Sequence, residues 1–318
     1  MLDEATFASL TAAHRRELHV HSYRMLGNFD AAEDALQEAL LRAWRGRASF
    51  DGGPAARAWL YRIVTTTCLD MLRKAGREAV AAESIADLPW LTPYPDALLD
   101  EAGPEALAVR RETIELAYLA VIQLLPARQR AVLLLRDVQG YSAAETAAAL
   151  EMSVAAANSA LQRARATLAQ RLPERDASWS ADGLTEADRD LLAAFIDAHQ
   201  RQDPAASLAL VRQDVRISMP PQPLFFTGRE KMAELMAIAF DHAQFGDWRL
   251  LPTAANRMPA AASYLLRDGA PEWIAFKLDV IRVAGGQIAE TTTFDHSLFP
   301  AFGLPLTLPA SVGGHPAG

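Results

Sequence analysis

Apolar positions follow a helical period through most of the first 75 residues. Between residues 32 and 43 they recur at steps of three and four, which places them on one face of a helix. The sequence Asp-Gly-Gly-Pro at 51–54 interrupts the pattern, and a second helix is predicted at 59–73. This second helix combines aromatic residues with arginines, which fits either a core with a charged rim or a stacking site for single-stranded nucleic acid. We expect a helical block over residues 1–75.

The helical period is lost at residues 76–111, where prolines and acidic side chains accumulate. Four prolines prevent a continuous helix there: Pro89, Pro93, Pro95 and Pro104. An interdomain linker would explain this composition. The segment also carries more large apolar side chains than a solvated tether needs, namely Leu88, Trp90, Leu91, Tyr94, Leu98 and Leu99. We therefore expect a linker that packs against a partner protein or against another part of this chain.

Residues 112–175 predict two short helices joined by a tight turn. Ser142 and Glu145 have the spacing of a capping box, and Ser153 is a suitable N-cap for the second helix. The inward stripe of the second helix is predicted as Val154, Ala157, Leu161, Ala164 and Leu168. The second helix is longer and basic, so the layout is that of a helix-turn-helix.

The C-terminal part begins with a polar linker predicted at 176–183, and an amphipathic helix follows. The apolar period then changes to two, and Gly285-Gly286 supplies a hairpin turn. Strands are predicted at 248–255, 261–267 and 274–281 and from residue 288 onward. A helix followed by a curved antiparallel sheet indicates an α+β domain over 184–308, with a tail at 309–318.

Charge is distributed unevenly along the chain, whose formal net charge is −8. Residues 76–111 carry 3 basic and 7 acidic side chains, and residues 176–318 carry 11 and 17. The two helical parts are close to neutral. Because net charge governs non-specific attraction to nucleic acid, we expect the chain alone to bind DNA weakly.

Cysteine and histidine usage limits the chemistry that the chain can support. Cys68 is the single cysteine, which excludes an internal disulfide and a cysteine-based zinc site. The 7 histidines are scattered, so neither a metal site nor a cofactor is expected. No signal peptide and no apolar run of about 18 residues is present, and we expect a cytoplasmic protein without a membrane partner.

The first helical block resembles a known family. DAAEDALQEALLRAW, followed by AWLYRIVTTTCLDMLR, is similar to region 2 of extracytoplasmic-function (ECF, group IV) sigma-70 factors. In that family the first helix docks on the β′ clamp helices of core RNA polymerase, and the second helix with its preceding loop engages the minus-ten promoter element. The resemblance implies polymerase-facing roles for Asp34, Gln37, Glu38, Leu41 and Arg45. It implies promoter-facing roles for Arg57, Trp59, Tyr61, Arg62 and Arg73. Thr66 stands where the family often has Asn, which leaves the base preference there open.

The second helical part, LPARQRAVLLLRDVQGYSAAETAAALEMSVAAANSALQRARATL, resembles sigma region 4. That region reads the minus-thirty-five promoter element and contacts the polymerase β-flap. The resemblance implies DNA contacts by Ser153, Asn158, Ser159, Gln162, Arg163 and Arg165. Asn158 and Ala160 occupy positions where relatives often carry Lys or Arg, which implies fewer phosphate contacts and a weaker salt dependence.

The C-terminal part resembles the SnoaL-like family of cone-shaped folds in FTGREKMAELM and TTTFDHSLFPAFGLP. The linker stretch PWLTPYPD is similar to a motif of the sigma subgroup that carries such a domain. Cones of this kind often enclose a pocket. The residues proposed to line it are Trp248, Asn256, Tyr264, Trp273, Lys277 and His296, and the acid–base candidates by analogy with enzymatic relatives are Asp279, Asp295 and His296.

Strand alternation gives Asp279 and Lys277 a different interpretation. It places both on the face opposite Phe276 and Leu278, which favours a solvated cross-strand charge pattern over a catalytic pair.

The sequence thus predicts a multidomain chain: two all-α sigma domains, a region 2 bundle and a region 4 helix-turn-helix, followed by an α+β SnoaL-like cone-shaped domain. The predicted function is that of a non-enzymatic sigma factor that binds core RNA polymerase and promoter DNA and is modulated in cis by its C-terminal domain. Two alternatives for that domain stay open, a small-molecule sensor and a SnoaL-like enzyme. A third reading is a ligand-sensing DNA-binding regulator that acts without polymerase.

Overall fold

The computed structural model describes residues 3–50, 56–77, 85–100, 114–172 and 184–310. The chain forms two compact units. We name them the helical unit, Met1–Glu83 with Leu98–Glu174, and the sheet unit, Ser84–Ala97 with Arg175–Gly318. The two parts predicted as sigma domains therefore fold together in one unit, while the middle of the predicted linker belongs to the other. No helix in the described ranges is long and apolar enough to cross a membrane.

The first part of the helical unit consists of α1 (Glu4–Leu26), α2 (Phe29–Gly46) and α3 (Ala56–Lys74). Asp3 and Asn28 cap α1 and α2 by accepting a hydrogen bond from a backbone N–H three residues further on. Gly27 ends α1 in the left-handed conformation with φ 70°, and a Cβ there would lie 2.9 Å from the side chain of Gln123. Glycine at this position thus permits both the turn and the close approach of the next helices.

The chain returns to the helical unit at α4 (Asp96–Asp100), a short helix. The described residues that follow form α5 (Leu116–Gln123), α6 (Ala127–Leu133), α7 (Ala143–Ala149) and α8 (Val154–Arg171). A π-helical turn, Leu134–Val138, extends α6. The predicted capping box of Ser142 and Glu145 opens α7, and Ser153 caps α8. The helix-turn-helix predicted from these caps is present.

The buried face of α8 differs from the prediction at its first turn. Val154, expected to point inward, is 44% exposed because α8 packs through the turns that follow it. The buried positions are Ala157, Ala160, Leu161 and Ala164, which have the spacing of a single helical face. The sequence predicts a lost phosphate contact at Ala160. Ala160 is 3% exposed, so this position faces the interior of the unit and the expected loss does not apply to it.

Arg130 joins the two parts of the helical unit. It is 1% exposed and donates to the backbone carbonyls of Ile122 at 2.8 Å, Gln123 at 2.8 Å and Leu125 at 3.2 Å. It also donates to Gln123 Oε1 at 2.6 Å and to the carbonyl of Met25 at the end of α1. Burial lowers the pKa of Arg130 to about 9. A single side chain therefore satisfies carbonyls from both parts of the unit.

The sheet unit contains α9 (Glu186–Gln200), α10 (Pro204–Ala209), β1 (Val211–Ser218), β2 (Phe225–Thr227), α11 (Arg229–Ala239), α12 (His242–Phe245), β3 (Asp247–Ala255), β4 (Met258–Leu266), β5 (Glu272–Ala284), β6 (Gln287–Asp295) and β7 (Thr307–Pro309). The strand order is β2-β1-β6-β5-β4-β3, with β7 paired to β5. The β1–β6 pair is parallel and the other pairs are antiparallel. Helices on one face of this sheet enclose the apolar core, which confirms the predicted α+β class.

The β5–β6 hairpin turns at Gly285 and Gly286, as predicted, with φ of 62° and 71°. Beyond the predicted domain end, Pro309 belongs to β7 and pairs with Glu272. The rest of the predicted tail after residue 310, and the predicted linker at 176–183, lie outside the described residues.

A β-bulge in β5 decides which side chains face the interior of the sheet unit. Ser263 pairs with Lys277, whereas Tyr264 pairs with Ala275, so Phe276 is an extra residue on β5. Strict alternation fails at the bulge, and Phe276 and Lys277 line the same interior cavity.

Candidate polymerase, nucleic-acid and ligand sites

The outward side of α2 carries all five residues predicted to face polymerase. Their spacing places them along one side of the helix, away from the buried alanines: Asp34, Gln37, Glu38, Leu41 and Arg45. Leu41 is 51% exposed and stands among these polar side chains. An exposed apolar side chain within a polar rim is typical of a protein-binding surface. We name these five residues the α2 surface.

Arg42, which the sequence pattern did not single out, links the α2 surface to α3. Its guanidinium donates to Glu38 Oε1 and to Asp70 Oδ2, both at 2.9 Å. Arg73 donates to Asp70 Oδ1 at 2.8 Å. The hydrogen bonds from Arg42 lower the pKa of Glu38 and of Asp70. Glu38 and Arg73 are thus already paired, but such partly exposed pairs are weak and can exchange for another partner.

The promoter-facing residues predicted on α3 lie in different environments. Arg62 and Arg73 are exposed. Trp59 is half-buried and stacks on Phe50 with ring centroids 4.8 Å apart. The loop at 51–55, which the resemblance also assigns to the promoter, lies outside the described residues. Arg62, Arg73 and one edge of the Trp59–Phe50 stack are therefore the accessible part of this candidate site.

Arg57 and Tyr61 are bonded to other residues of the helical unit, although the Arg57 side chain is still 41% exposed. Arg57 donates from Nε to Glu17 Oε1 at 3.1 Å, from Nη2 to Glu17 Oε2 at 2.7 Å, and to Gln139 Oε1 at 2.8 Å. The Tyr61 hydroxyl donates to Glu17 Oε2 at 3.0 Å, and its ring lies 6.2 Å from that of Tyr141. Tyr61 is 0% exposed, which corrects its expected promoter-facing position in this arrangement of the chain. Packing against α1 and the segment before α7 is the cause.

Glu17 is the residue of this cluster that sequence reasoning missed. Burial alone would raise the pKa of Glu17, but hydrogen bonds from Arg57 outweigh it and lower the pKa. Its partner Arg57 lies 40 positions away along the chain, and Gln139 lies 82 positions from Arg57. No local pattern connects residues so far apart.

On α8 the six predicted DNA contacts are all exposed: Ser153, Asn158, Ser159, Gln162, Arg163 and Arg165. They share the side of the helix that faces away from α6 and α7. Arg165 is paired with Asp137, its Nη2 2.6 Å from Oδ1 and its Nε 2.9 Å from Oδ2. A phosphate that recruits Arg165 must compete with this carboxylate.

Part of the predicted linker packs on the sheet unit. Leu88, Leu91 and Tyr94 are at most 1% exposed. The backbone N–H of Tyr94 donates to Asn256 Oδ1 at 2.8 Å, and the N–H of Asn256 donates to the Tyr94 carbonyl at 2.9 Å. Pro95 pairs with Ala255 as an isolated antiparallel bridge. Of the two expectations for this segment, packing against another part of the chain is confirmed.

The turn between β3 and β4 is shaped for this contact. Asn256 and Arg257 both have positive φ, 56° and 61°. Asn tolerates that conformation because its short polar side chain bonds locally or to a neighbour. The N–H of Arg257 donates to Asp96 Oδ1 at 2.8 Å, one residue beyond Pro95. Side chain and backbone of this turn thus hold both ends of the Tyr94–Asp96 segment, which we name the docked linker.

The sheet unit encloses a cavity of about 520 Å³ between the sheet and helices α9 and α11. Of the predicted lining residues, Trp248 and Lys277 contribute to it. Asn256 binds the docked linker instead, and the Tyr264 hydroxyl donates to the Pro305 carbonyl at 2.9 Å. Trp273 and His296 are also absent from the cavity wall; His296 is exposed beside Asp295. These four placements correct the predicted pocket, because only one face of each strand borders the cavity.

Lys277, Asp279 and His199 are buried or mostly buried titratable groups of this cavity, and the more exposed Asp295 also belongs to its wall. Asp279 is 0% exposed, so the predicted solvated charge pattern is wrong. Lys277 Nζ lies 2.9 Å from Asp279 Oδ2, and Thr293 Oγ1 donates to Asp279 Oδ1 at 2.7 Å. His199 Nδ1 donates to the Phe195 carbonyl at 3.0 Å. Burial lowers the pKa of His199 to about 4, which keeps the imidazole neutral at neutral pH.

Comparison with known proteins agrees with this architecture. The Sigma-70 region 2 model matches residues 10–78, and the Sigma-70, region 4 model matches residues 115–168. Among solved structures, the crystal structure of the Mycobacterium tuberculosis extracytoplasmic function sigma factor SigJ matches with a TM-score of 0.64 and 21% sequence identity. That match covers 96% of this chain and 100% of that one, and it shows a shared fold.

Two curated relatives are similar in sequence. The chain is 35% identical over 170 residues to the ECF RNA polymerase sigma factor SigM of Mycobacterium tuberculosis (strain ATCC 25618 / H37Rv), covering 54% of this chain and 79% of that protein. It is 38% identical over 316 residues to the ECF RNA polymerase sigma factor SigG of the same strain, covering 95% of this chain and 85% of that protein. Because the likeness to SigG spans both the helical and the sheet unit, the chain belongs to the family of ECF RNA polymerase sigma factors.

Proposed function

We propose that the chain directs promoter-specific transcription initiation as an ECF sigma factor and that its C-terminal α+β domain adjusts this activity in cis. Family membership supports the first part: such a factor binds core RNA polymerase and promoter DNA. The α2 surface is the candidate contact for the β′ clamp helices. Arg62, Arg73 and Trp59 on α3 are candidates for the minus-ten element, and the exposed side of α8 is the candidate for the minus-thirty-five element and lies in the region that meets the β-flap.

The docked linker is the observation that carries the proposal of cis regulation. This segment lies on the covalent connection between α3 and α5, which belong to the region 2 and region 4 parts. While Tyr94 and Pro95 are bonded to the β3–β4 turn, the length of chain free to separate those two parts is shortened. Because the contact is intramolecular, even weak docking is favoured by a high effective concentration.

The contacts of Arg57 support the same proposal. Its guanidinium is engaged by Glu17 and by Gln139, which belongs to the region 4 part. DNA binding by Arg57 and Tyr61 requires these contacts to open. A sheet unit that holds the linker shifts the population toward the closed arrangement, and polymerase shifts it back.

In vitro transcription with core polymerase tests the proposal. The full chain is compared with a chain that ends at residue 175, at equal concentrations and over a range of promoter templates. We expect the shorter chain to initiate more efficiently, because its linker has lost the β3–β4 turn that favours the closed arrangement. Equal initiation by both chains would remove the regulatory role and leave the sigma function intact. Failure of both chains to copurify with core polymerase would instead favour a regulator that acts without polymerase.

A second candidate role for the C-terminal domain is catalysis on a small molecule. The supporting observation is that His199 and Asp279 are both buried and line one cavity. The other two acid–base candidates, Asp295 and His296, are 53% and 47% exposed and do not favour it. Catalysis predicts a covalently changed product, detectable by mass spectrometry, whose formation stops in Asp279→Asn.

A further inference from the structure

We propose that the cavity of the sheet unit is a binding site for a neutral, largely apolar ring compound whose carbonyl oxygen accepts a hydrogen bond from Lys277. The proposal concerns binding and is independent of whether the sheet unit regulates transcription.

The volume of the cavity and the side chains that line it indicate the size and the apolar character of the ligand. A volume of about 520 Å³ lies within the range that encloses drug-sized molecules. The walls are mainly aromatic and thioether side chains: Phe240, Phe245, Trp248, Phe276, Met232 and Met236. The Trp248 and Phe276 rings meet edge to face with centroids 5.6 Å apart. Such walls favour flat apolar rings, and methionine adapts to irregular outlines.

Lys277 is the polar anchor that a ligand can reach. Its ammonium group lies 5.3 Å from the centre of the Trp248 ring, and its side chain is 20% exposed. Its neighbour Asp279 Oδ2, at 2.9 Å, is fully buried and receives no hydrogen bond from any described residue. The ammonium group forms an ion pair with Asp279, and because it carries three N–H groups, others remain for an acceptor in the cavity.

The charge balance selects a neutral acceptor over an anion. Lys277 and Asp279 compensate each other within an apolar cavity, His199 is neutral, and Asp295, 53% exposed, adds a further carboxylate to the wall. A carboxylate ligand would place a second anion beside the buried Asp279, where poor solvation makes repulsion strong. A ketone or similar carbonyl accepts from Lys277 and leaves the pair balanced.

The cavity is also reachable from solvent. Ile238, near the end of α11, is 55% exposed and contributes to the cavity wall. An apolar side chain that is exposed and borders an apolar cavity marks its mouth. A ligand can therefore enter without unfolding the domain.

Isothermal titration of the full chain with three probes of similar shape tests the proposal: 2-acetylnaphthalene, 2-ethylnaphthalene and 2-naphthoate. We expect 2-acetylnaphthalene to bind about tenfold tighter than 2-ethylnaphthalene, as a hydrogen bond from a charged donor provides. Lys277→Met should abolish that preference while 2-ethylnaphthalene binds as before. Equal affinity of the first two probes in the native chain, or tightest binding of 2-naphthoate, overturns the proposal.

A second pair of variants locates the site if Lys277→Met does not fold. Leu235→Trp adds bulk to the cavity wall, whereas Leu306→Trp changes an exposed leucine of the same domain that is not part of that wall. We expect Leu235→Trp to weaken 2-acetylnaphthalene binding at least about tenfold and Leu306→Trp to leave it unchanged. Undiminished binding to Leu235→Trp contradicts a site in this cavity. These titrations contain neither polymerase nor DNA, so their outcome is separate from that of the transcription experiment.

Discussion

At the scale of single residues, some exposed side chains of the helices proposed to contact DNA are already paired with residues of the same chain. Arg165 is the clearest case, because Asp137 engages two of its nitrogen atoms. The pair is largely exposed, so its contribution to the stability of the fold is small. Its effect on DNA binding is larger, since a phosphate must displace the carboxylate before it gains the arginine.

We predict that Asp137→Asn strengthens binding of the chain to duplex DNA by a few-fold and makes its salt dependence steeper by about one counterion. Fluorescence anisotropy with a labelled duplex at several salt concentrations measures both effects. Arg165→Ala is the matched control, and in that background Asp137→Asn should change little beyond the general effect of one lost negative charge. The same gain with and without Arg165 would show that the ion pair is not its cause.

His199 makes the stability of the sheet unit depend on pH. Its folded pKa is about 4, well below the value of about 6.5 for an unfolded chain, because burial disfavours the imidazolium. The unfolded state therefore binds a proton first as pH falls. Stability is complete above about pH 6.5 and declines toward pH 4, by at most about 1.4 kcal/mol per pH unit.

We predict that hydrogen-exchange protection of β4 falls between pH 7 and pH 5 after correction for the intrinsic exchange rate. His199→Gln cannot titrate, so its protection should change less over the same interval. His19 and His21 are also buried with lowered pKa values but lie in the helical unit, which is why the readout must be confined to the sheet unit. Parallel pH profiles for both chains would show that another group is responsible.

At the scale of elements, local signals predicted α3, α7, α8 and the β5–β6 hairpin, whereas β1, β2, β7 and the helices from α10 to α12 were not predicted. The caps at Ser142 and Ser153 and the Gly285-Gly286 turn act within a few residues of themselves, so a short stretch of sequence contains all the information they need. The bulge at Phe276 is not specified by a short stretch of sequence, because it depends on the register between β4 and β5. That is why the alternation pattern predicted the environment of Asp279 wrongly.

Arg130 shows how one element is fastened to the next. We predict that Arg130→Met lowers the free energy of unfolding of the helical unit by about 3–5 kcal/mol, because four backbone carbonyls lose a buried donor. Arg128→Met on the same helix changes an exposed arginine and should have an effect below about 0.5 kcal/mol. Chemical denaturation followed by helical circular dichroism measures both. Similar midpoints for the two variants would mean that those carbonyls find other donors.

At the scale of the whole molecule, the chain passes into the sheet unit at residue 84, leaves it at 97 and returns at 175. The part between 84 and 97 thereby lies on the connection between the region 2 and region 4 parts and also belongs to the domain proposed to regulate them. A change at the β3–β4 turn is expected to reach transcription through this segment.

We predict that Asn256→Gly alters transcription by the full chain in the same direction as removal of the C-terminal domain, but to a smaller extent. Glycine keeps the positive φ and loses the acceptor for the Tyr94 N–H. Gln202→Gly is the matched control, because it makes the same change at another residue of the sheet unit with positive φ, whose side chain bonds to Gly246, and it should behave like the native chain. Limited proteolysis of residues 85–97 provides a second readout, with faster cleavage expected in Asn256→Gly only. Native behaviour of Asn256→Gly in both assays would show that this contact does not hold the linker.

The sequence by itself determined the order of the domains, the helices and their caps, the strand hairpin and the exposed candidate residues of α2 and α8, because these follow from periodicity and neighbouring side chains. The tertiary structure alone decided the packing of Tyr61 against Glu17 and Tyr141, the role of Arg130, the docking of Tyr94 on Asn256 and the interior position of Lys277 and Asp279. Tyr94 and Asn256 lie 162 positions apart. Contacts over such separations depend on how finished elements pack, and no local pattern of polar and apolar residues specifies that packing.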